Sequence, residues 1–263
     1  MTNSYWVIIP AYNEAATVRD VAARARRQCP NVIVVDDGST DGTAEALTDL
    51  DVTLLRNEQN CGKAGSLVRG ADYALAQGAT GVITLDADGQ HAPEEIPLFL
   101  EQAKDCPNTL LVGARRRDQR RASFWRYAAN RIADFWIGWA AGQPIEDSQS
   151  GYRLYPAQLL RMVSIPHGPE RSFVYESEIL IEAARQGCEI HSVAVSVTRR
   201  PGPRPSHFRP VLDIVRIVRM VTRKLVGRGL YPTGFYRMCR RRASLAIAER
   251  SYHGQSVIED IRK

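Results

Sequence analysis

The chain has 263 residues, enough for one large domain or two small ones, and it is 44% hydrophobic and 24% charged. That balance is typical of a folded globular protein and excludes a disordered one. Thirty-five Lys and Arg against 29 Asp and Glu give a formal charge of +6, with the basic excess concentrated at residues 115–121 and beyond Arg199. The excess predicts an anionic partner such as nucleic acid, a phosphorylated substrate or lipid headgroups, although a solvated surface has the same composition.

Cysteine usage and hydropathy indicate the compartment. The five cysteines are odd in number and scattered, with no C-x-x-C pair that would indicate zinc or a redox couple. A reducing compartment fits this pattern. No leader-like segment precedes the first apolar run, and no window approaches the roughly twenty apolar residues of a spanning helix. We therefore expect a cytoplasmic protein without a membrane span.

Short apolar runs alternate with amphipathic stretches over the first 113 residues. The runs predict strands at 5–9, 32–35, 52–55, 81–85 and 109–113. The stretches between them predict helices at 14–28, 43–50, 64–77 and from Pro93 onward. This alternation predicts a parallel sheet covered by helices.

A polar motif follows each of the first four predicted strands: AYNE, DDGSTDGT, NCGKAG and DADGQH. Ligands of such sheets bind beyond the carboxyl ends of the strands, so the four motifs predict one shared site. A Rossmann dinucleotide site would need G-x-G-x-x-G after the first strand. The sequence there is PAYNEAA, which excludes that fold.

The stretch LDADGQH, residues 85–91, brings three oxygen-bearing side chains together. Asp86, Asp88 and Gln90 lie within five positions, and carboxylate and amide oxygens suit Mg²⁺ or Mn²⁺, with substrate phosphate completing the shell. A turn that only caps the next helix uses the same residue types. The three other strand-end motifs favour a metal–diphosphate site.

VIIPAYNE, VVDDGSTDGT, GKAGSL and LDADGQH, in this order and spacing, resemble the family 2 glycosyltransferases. DADGQH is similar to the form in dolichyl-phosphate mannose synthases and related polyprenyl-phosphate sugar transferases. The resemblance covers most of residues 5–200 and implies a glycosyltransferase A-type α/β fold, in which helices flank a mostly parallel nucleotide-binding sheet. It also implies an inverting enzyme that moves a single hexose to a polyprenyl phosphate or other lipid acceptor. A glycan or lipid-pathway hydroxyl as acceptor stays an alternative, and so does, from another class, a basic nucleic-acid-binding protein.

The resemblance also implies the donor residues. The expected contacts to a UDP- or GDP-hexose are Pro10, Tyr12, Glu14, Asp37, Lys63 and Asp86. The expected ligands of Mg²⁺ or Mn²⁺ are Asp88, Gln90 and Asp86, with Asp88 also counted as catalytic. Asp36 is expected to orient its loop.

The acceptor side is expected in the second half of the chain. EDSQSGYRLY, residues 146–155, resembles a motif of the polyprenyl-phosphate sugar transferases, which implies that Asp147 is catalytic and faces the sugar or acceptor near C1. Asp147 would be a general base only for a hydroxyl acceptor, because a lipid phosphate is already anionic. Arg115, Arg131 and Arg200 are the expected contacts to the acceptor phosphate, since the planar guanidinium suits phosphate.

The sequence divides into a catalytic domain at 1–210, an amphipathic helix at 211–236 and a basic, partly disordered tail at 237–263. The spacing places apolar residues on one face of the helix, namely Val211, Ile214, Val215, Val218, Val221 and Leu225. Such a helix lies on an anionic membrane or docks against its own sheet. A tryptophan-rich helix at 123–142 follows the basic run at 115–121. We expect peripheral association with the inner membrane face and no nucleic acid partner.

Overall fold

A computed structural model describes residues 4–115, 124–197 and 210–243. Seven strands form one sheet in the order β3-β2-β1-β4-β6-β5-β7. They are β1 Tyr5–Ala11, β2 Val32–Asp36, β3 Thr53–Arg56, β4 Gly81–Thr84, β5 Leu110–Arg115, β6 Arg153–Pro156 and β7 Ile190–Val195. The neighbouring strands are parallel except for β6, which runs antiparallel between β4 and β5.

Helices cover both faces of this sheet. They are α1 Val18–Gln28, α2 Gly62–Ala76, α3 Ile96–Asp105, α4 Phe124–Ala141, α5 Ala157–Met162, α6 Ser172–Arg185, α7 Pro210–Val226 and α8, residues 232–243. Three 3-10 turns lie at Glu45–Leu47, Pro93–Glu95 and Pro169–Arg171. None of the described helices is long and apolar enough to cross a membrane.

Alternate strand residues supply two cores because successive side chains point to opposite faces. On β1, Val7 and Ile9 pack with α1 and α3, whereas Ile8 packs with α2 on the other face. That second face continues over β5 and β7, where α4, α6 and α7 cover it. The expected α/β fold is therefore present, and the helical layer from the second half of the chain covers the half of the sheet that contains β5.

The first strand is longer than the predicted range 5–9 and includes Pro10. β1 continues to Ala11, and Pro10 pairs with Val35 of β2. On the other side of β1, pairing with β4 ends at Ile8, so the missing N–H of Pro10 leaves no ladder bond unmade. The predicted helix at 43–50 is also shorter, being only the 3-10 turn Glu45–Leu47.

The C-terminal segment differs from the predicted division. α7 ends at Val226, and a turn with Gly229 at positive φ leads to α8. Residues 237–243, the first part of the expected tail, are helical, and Met238 is only 3% exposed because it packs against Gly138 of α4. The rest of that segment lies outside the described residues.

The apolar side chains of helix α7 divide into a buried group and an exposed group, instead of forming the single predicted face. The face that packs on the protein consists of Ile217, Met220, Val221 and Leu225. A second group stays exposed and is called here the outer face: Leu212, Ile214, Val215, Val218 and Val226. The two expected behaviours are therefore compatible, because the helix docks on its own protein and still presents apolar side chains to its surroundings.

Candidate active site

The motifs after β1 and β2 are joined by hydrogen bonds between their loops. The Asn13 backbone N–H donates to Ser39 Oγ at 2.9 Å, and the Thr40 N–H donates to Asn13 Oδ1 at 3.0 Å. Asn13 takes a positive φ of 55°, a conformation that Asn tolerates better than most residues. AYNE and DDGSTDGT therefore form one continuous wall, which places Tyr12 and Glu14 beside the loop that carries Asp37.

The two acids of DDGS have different surroundings. Asp37 Oδ1 accepts hydrogen bonds from Asn57 Nδ2 at 2.6 Å and from the Cys61 N–H at 2.9 Å. Asp36 is fully buried and accepts from the Ser39 N–H at 3.0 Å within its own loop. Asp37 thus connects the ends of β2 and β3 with the start of α2, while Asp36 shapes the turn.

Lys63, in the first turn of α2, lies between two carboxylates. Its Nζ is 2.5 Å from Asp86 Oδ1 and 2.7 Å from Glu176 Oε1. Burial opposes the charge of the ammonium, but the two carboxylates outweigh burial and raise the pKa of Lys63; the ammonium in turn lowers the pKa of Asp86. A Cβ at Gly151 would lie 2.6 Å from Lys63 Nζ and 2.8 Å from Asp86 Oδ2. The donor side and the loop after α4 therefore meet at this ion cluster.

Asp88 and Gln90 form the second half of the DADGQH turn. Gln90 donates from Nε2 to Asp88 Oδ2 at 2.7 Å and from its backbone N–H to Oδ1 at 2.9 Å. Burial raises the pKa of Asp88, and the charges of Asp86 and Glu14 raise it further. Among the described residues, no three His, Cys, Asp or Glu side chains are close enough to hold an ion by themselves. A cation at Asp88 would therefore need the amide oxygen of Gln90 and ligands from substrate.

Arg115 and Asp147 join the end of β5 to the loop before β6. The Arg115 Nε donates to Asp147 Oδ2 at 2.6 Å, and Nη2 donates to Oδ1 at 2.5 Å. Asp147 is 3% exposed and has a positive φ of 53°. The pair holds the carboxylate in one orientation at the side of the site opposite DDGS.

A match to a protein-family model identifies this arrangement. The model described as glycosyl transferase family 2 matches residues 6–173, more than half of the chain. The chain belongs to glycosyl transferase family 2. The matched range includes all four strand-end motifs and the loop of Asp147, which confirms the resemblance seen in the sequence.

Relatives of this family 2 glycosyltransferase include lipid-phosphate sugar transferases. Polyprenol monophosphomannose synthase of Mycolicibacterium smegmatis is 30% identical over 205 residues, covering 74% of this chain and 77% of the relative. Undecaprenyl-phosphate mannosyltransferase of Micrococcus luteus is 29% identical, with 73% and 83% covered. UDP-N-acetylglucosamine–dolichyl-phosphate N-acetylglucosaminyltransferase of Methanococcus voltae is 29% identical, with 72% and 84% covered.

Solved structures confirm the glycosyltransferase A-type fold. Glucosyl-3-phosphoglycerate synthase from Mycobacterium tuberculosis, in complex with Mn²⁺, UDP and glucosyl-3-phosphoglycerate, superposes with a TM-score of 0.60 at 22% identity. The match covers 86% of this chain and 80% of that one. The same enzyme has been solved with Mg²⁺ and UDP.

Two buried residues of this glycosyltransferase support the Asp147 loop and were missed from the sequence. Asp134 on α4 accepts hydrogen bonds from the Ser148 N–H at 2.9 Å and from its hydroxyl at 2.7 Å. Arg153, fully buried, donates to the carbonyls of Ser148, Ser150 and Glu176 at 2.8, 2.8 and 2.6 Å. A signal was present in each case, since an acid and an arginine lie within otherwise apolar stretches, ADFW and GYRLY.

The remaining predicted contacts are only partly brought together. Pro10 and Tyr12 lie at the carboxyl end of β1, beside the DDGS loop. Arg131 is exposed on α4, one turn before Asp134, so it lies on the side of α4 that supports the Asp147 loop. Arg200 lies outside the described residues.

Proposed function

We propose that this protein is an inverting, metal-dependent hexosyltransferase that moves one hexose from a nucleotide-diphosphate sugar to a polyprenyl phosphate at the inner membrane face. One observation supports it most: the Lys63–Asp86 ion pair joins two of the four strand-end motifs and lies against Gly151, in the loop that follows Asp147. A donor diphosphate held by an ion at Asp88 would direct its sugar toward that loop.

The donor would bind along the wall formed by the first two motifs. Tyr12 and Glu14 frame the space at the end of β1, and Asp37 offers a carboxylate whose position is fixed by Asn57 and Cys61. A carboxylate there accepts hydrogen bonds from base N–H groups or ribose hydroxyls. Pro10 ends this wall, and we assign Lys63 and Asp86 to the ribose and diphosphate end of the donor.

The residues of the DADGQH turn fit a hard divalent ion. Gln90 donates to the Asp88 carboxylate from its backbone N–H and from Nε2, so a cation bound to Asp88 would replace the Nε2 donation and take the Gln90 amide oxygen instead. Oxygen donors of this kind select Mg²⁺ or Mn²⁺ together with phosphate oxygens. We assign the ion to Asp88 and Gln90, and Asp86, which pairs with Lys63, contributes to the negative field. The ion, when bound, stabilises charge on the departing nucleoside diphosphate.

The transfer itself needs no protein nucleophile. An oxygen of the lipid phosphate attacks C1 of the hexose, the C1–O bond to the diphosphate breaks, and its electron pair leaves with the nucleoside diphosphate. The acceptor is anionic before it reacts, so no proton has to be removed. Asp147 would then orient sugar and loop, and Arg131 and Arg200 are the proposed phosphate contacts, with Arg115 acting through Asp147.

The outer face of α7 fits a membrane surface. Four of its five exposed apolar side chains lie in a segment, residues 214–243, that has nine Lys and Arg and no Asp or Glu. Apolar side chains beside an excess of basic ones match the headgroup region of an anionic bilayer. On α4, Trp136 is 43% exposed and stacks on Trp139, which contacts Phe235 of α8. Indole rings with one face exposed favour the same interface.

The deciding experiment separates donor, metal and acceptor. Thermal shift with UDP- and GDP-hexoses, each with and without Mn²⁺, identifies the donor, because a ligand of the native state raises its stability. Transfer of the radiolabelled sugar is then followed with undecaprenyl phosphate and, in parallel, with undecaprenol. Product from the phosphate alone supports the proposal; product from a hydroxyl acceptor alone favours the alternative transferase. No response to any nucleotide sugar contradicts both.

A further inference from the structure

Glu176 carries a charge at the active site that neither the donor motifs nor the Asp147 loop explains. It lies on α6, is 6% exposed, and its Oε1 is 2.7 Å from the Lys63 ammonium. The same ammonium is 2.5 Å from Asp86. Two carboxylates therefore share one cation, and one of the two comes from the helical layer of the second half of the chain.

We infer that Glu176 is a positioning residue for the donor: it holds part of the Lys63 ammonium away from Asp86, so that Asp86 stays available to the nucleotide. The inference rests on the proposed function, because it takes Lys63 and Asp86 as donor contacts. If Glu176 carried no charge, the ammonium would pair with Asp86 alone. That closer pair would compete with the hydrogen bonds that Asp86 makes to the donor.

The geometry gives Lys63 little room to take another position. Gly151 lies against both Lys63 Nζ and Asp86, at a distance where a Cβ would reach 2.6 Å from the ammonium. On the far side, the carbonyl of Glu176 accepts from Arg153 Nη1 at 2.6 Å. The backbone at residue 176 is thus fixed to the Asp147 loop while its side chain holds Lys63. A change in the Glu176 charge therefore acts on Lys63 rather than on the path of α6.

Helix α6 supplies a matched control two residues further on. Glu178 is 7% exposed, nearly the same as Glu176, and it also pairs with a lysine, Lys224 of α7, at 2.8 Å. Residues two apart on a helix do not share a face, so Glu178 faces α7 and Arg171 instead of the active site. Glu178→Gln measures how the loss of a buried, paired charge on α6 affects stability and nucleotide affinity. Any further loss of affinity in Glu176→Gln is then due to its contact with Lys63 at the active site.

The test measures nucleotide binding by titration calorimetry on the full chain. UDP and GDP are titrated with Mn²⁺ into the wild type, and the tighter one is used for the variants. We expect Glu176→Gln to raise the Kd about tenfold, the scale of one hydrogen bond to a charged group, while Glu178→Gln changes it less than about twofold. Both variants are expected to lose thermal stability, and Glu178→Gln more than Glu176→Gln, because Glu178 pairs with both Lys224 and Arg171 whereas Glu176 shares Lys63 with Asp86.

A double-mutant cycle with Lys63→Met tests whether Glu176 acts through the lysine. In the Lys63→Met background, Glu176→Gln is expected to leave the Kd unchanged, since no ammonium remains to be shared. Three results would overturn the inference. The first is an unchanged Kd in Glu176→Gln, and the second is an equal loss of nucleotide affinity in Glu176→Gln and Glu178→Gln. The third is a loss of affinity from Glu176→Gln that persists in the Lys63→Met background. Should Lys63→Met not fold, the comparison of the two glutamate variants still decides. Failure of the proposed function is a separate result, because the wild type would then bind neither nucleotide.

Discussion

Arg115 and Asp147 form a two-point ion pair that joins the last residue of β5 to the loop before β6. Nε donates to Oδ2 at 2.6 Å and Nη2 to Oδ1 at 2.5 Å, and the Arg115 backbone N–H also donates to Oδ2 at 3.0 Å. Three hydrogen bonds from one residue fix the Asp147 carboxylate in a single orientation. The pair therefore favours an orienting role for Asp147, which suits an acceptor that needs no deprotonation.

Removing Arg115 is expected to leave a buried carboxylate without its strongest partner. We expect Arg115→Ala to lower the free energy of unfolding by about 2 kcal/mol, below the roughly 3–5 kcal/mol of a fully buried pair because Arg115 is partly exposed. Adding Asp147→Asn to Arg115→Ala is expected to restore part of the loss, since the unpaired charge is then gone. Urea unfolding of the two single variants and the double variant measures this. A double variant whose loss equals the sum of the single losses would show that the residues are not coupled.

Asp88 is expected to be essential for metal-dependent donor binding. Asp88→Asn keeps the size of the side chain and one hydrogen-bond acceptor but removes the negative charge. The Mn²⁺-dependent thermal shift with the donor nucleotide is therefore expected to disappear, and the rate of sugar transfer is expected to fall at least about a hundredfold. The stability of the free protein is expected to be unchanged or slightly raised, because burial and Asp86 already disfavour the charge. Asp105→Asn, at the exposed end of α3, is the control. Full activity of Asp88→Asn would contradict the assignment of Asp88 as a metal ligand.

The donor half of the fold could be predicted because its signals are local. Each apolar run of the first 113 residues became a strand of the sheet, and each polar motif followed one directly. Parallel strands bring their carboxyl ends to one edge, so the order of the motifs was enough to predict that Asp37, Lys63 and Asp86 lie near one another. That prediction did not require knowing which strands are neighbours in the sheet.

The acceptor half could not be predicted in the same way, because its contacts join distant parts of the chain. β6 is four residues long and lies antiparallel between β4 and β5, an insertion that no periodicity indicates. The partners of Arg153 are mainly backbone carbonyls, which the sequence does not distinguish. The outer face of α7 was only partly predicted, since Val221 and Leu225 were assigned to the same face as Val215 and are buried.

Gly151 is expected to be irreplaceable for steric reasons. Its φ is not in the left-handed region, but an added Cβ would lie 2.6 Å from Lys63 Nζ and 2.8 Å from Asp86 Oδ2. Gly151→Ala must therefore displace the ion pair, and we expect nucleotide affinity to fall about tenfold or more. Gly78→Ala, with open space around the Cβ and positive φ, is the control, and we expect it to cost about 1 kcal/mol of stability without a change in affinity. Equal affinities in both variants would contradict the close approach.

Helix α7 is expected to be held on α6 by a pH-dependent ion cluster. Burial opposes ionisation of Glu182, but Lys224 and Arg185 outweigh it and lower the pKa of Glu182 below its ordinary 4.5. A lowered pKa in the folded state means that the stabilisation is present above about pH 4.5 and is lost as pH falls through the folded value. Glu182→Gln is therefore expected to reduce thermal stability more at pH 7 than at pH 3. Equal losses at the two pH values would contradict the electrostatic origin.

The outer face of α7 is expected to determine membrane binding. Val215 and Val218 are 58% and 57% exposed, so replacing both with Glu should not disturb the fold but should remove apolar contact and add charge of the wrong sign. Binding to vesicles of phosphatidylglycerol and phosphatidylcholine in equal parts, measured by sedimentation, is expected to fall at least about tenfold. Wild-type binding is expected to weaken with salt and to be lost on phosphatidylcholine alone, because surface electrostatics are screened.

Two exposed apolar residues on other elements give the control for this surface. Leu98 on α3 and Met162 at the end of α5 are 44% and 46% exposed, and the Leu98→Glu/Met162→Glu variant adds the same two charges away from α7. Its vesicle binding is expected to equal that of the wild type. Equal losses of vesicle binding in the two double variants would mean that net charge alone governs membrane binding. RNA binding that is sensitive to salt and unaffected by Val215→Glu/Val218→Glu would favour a nucleic acid partner. Nucleotide affinity is expected to be unchanged in both, since the substituted helices lie outside the donor wall.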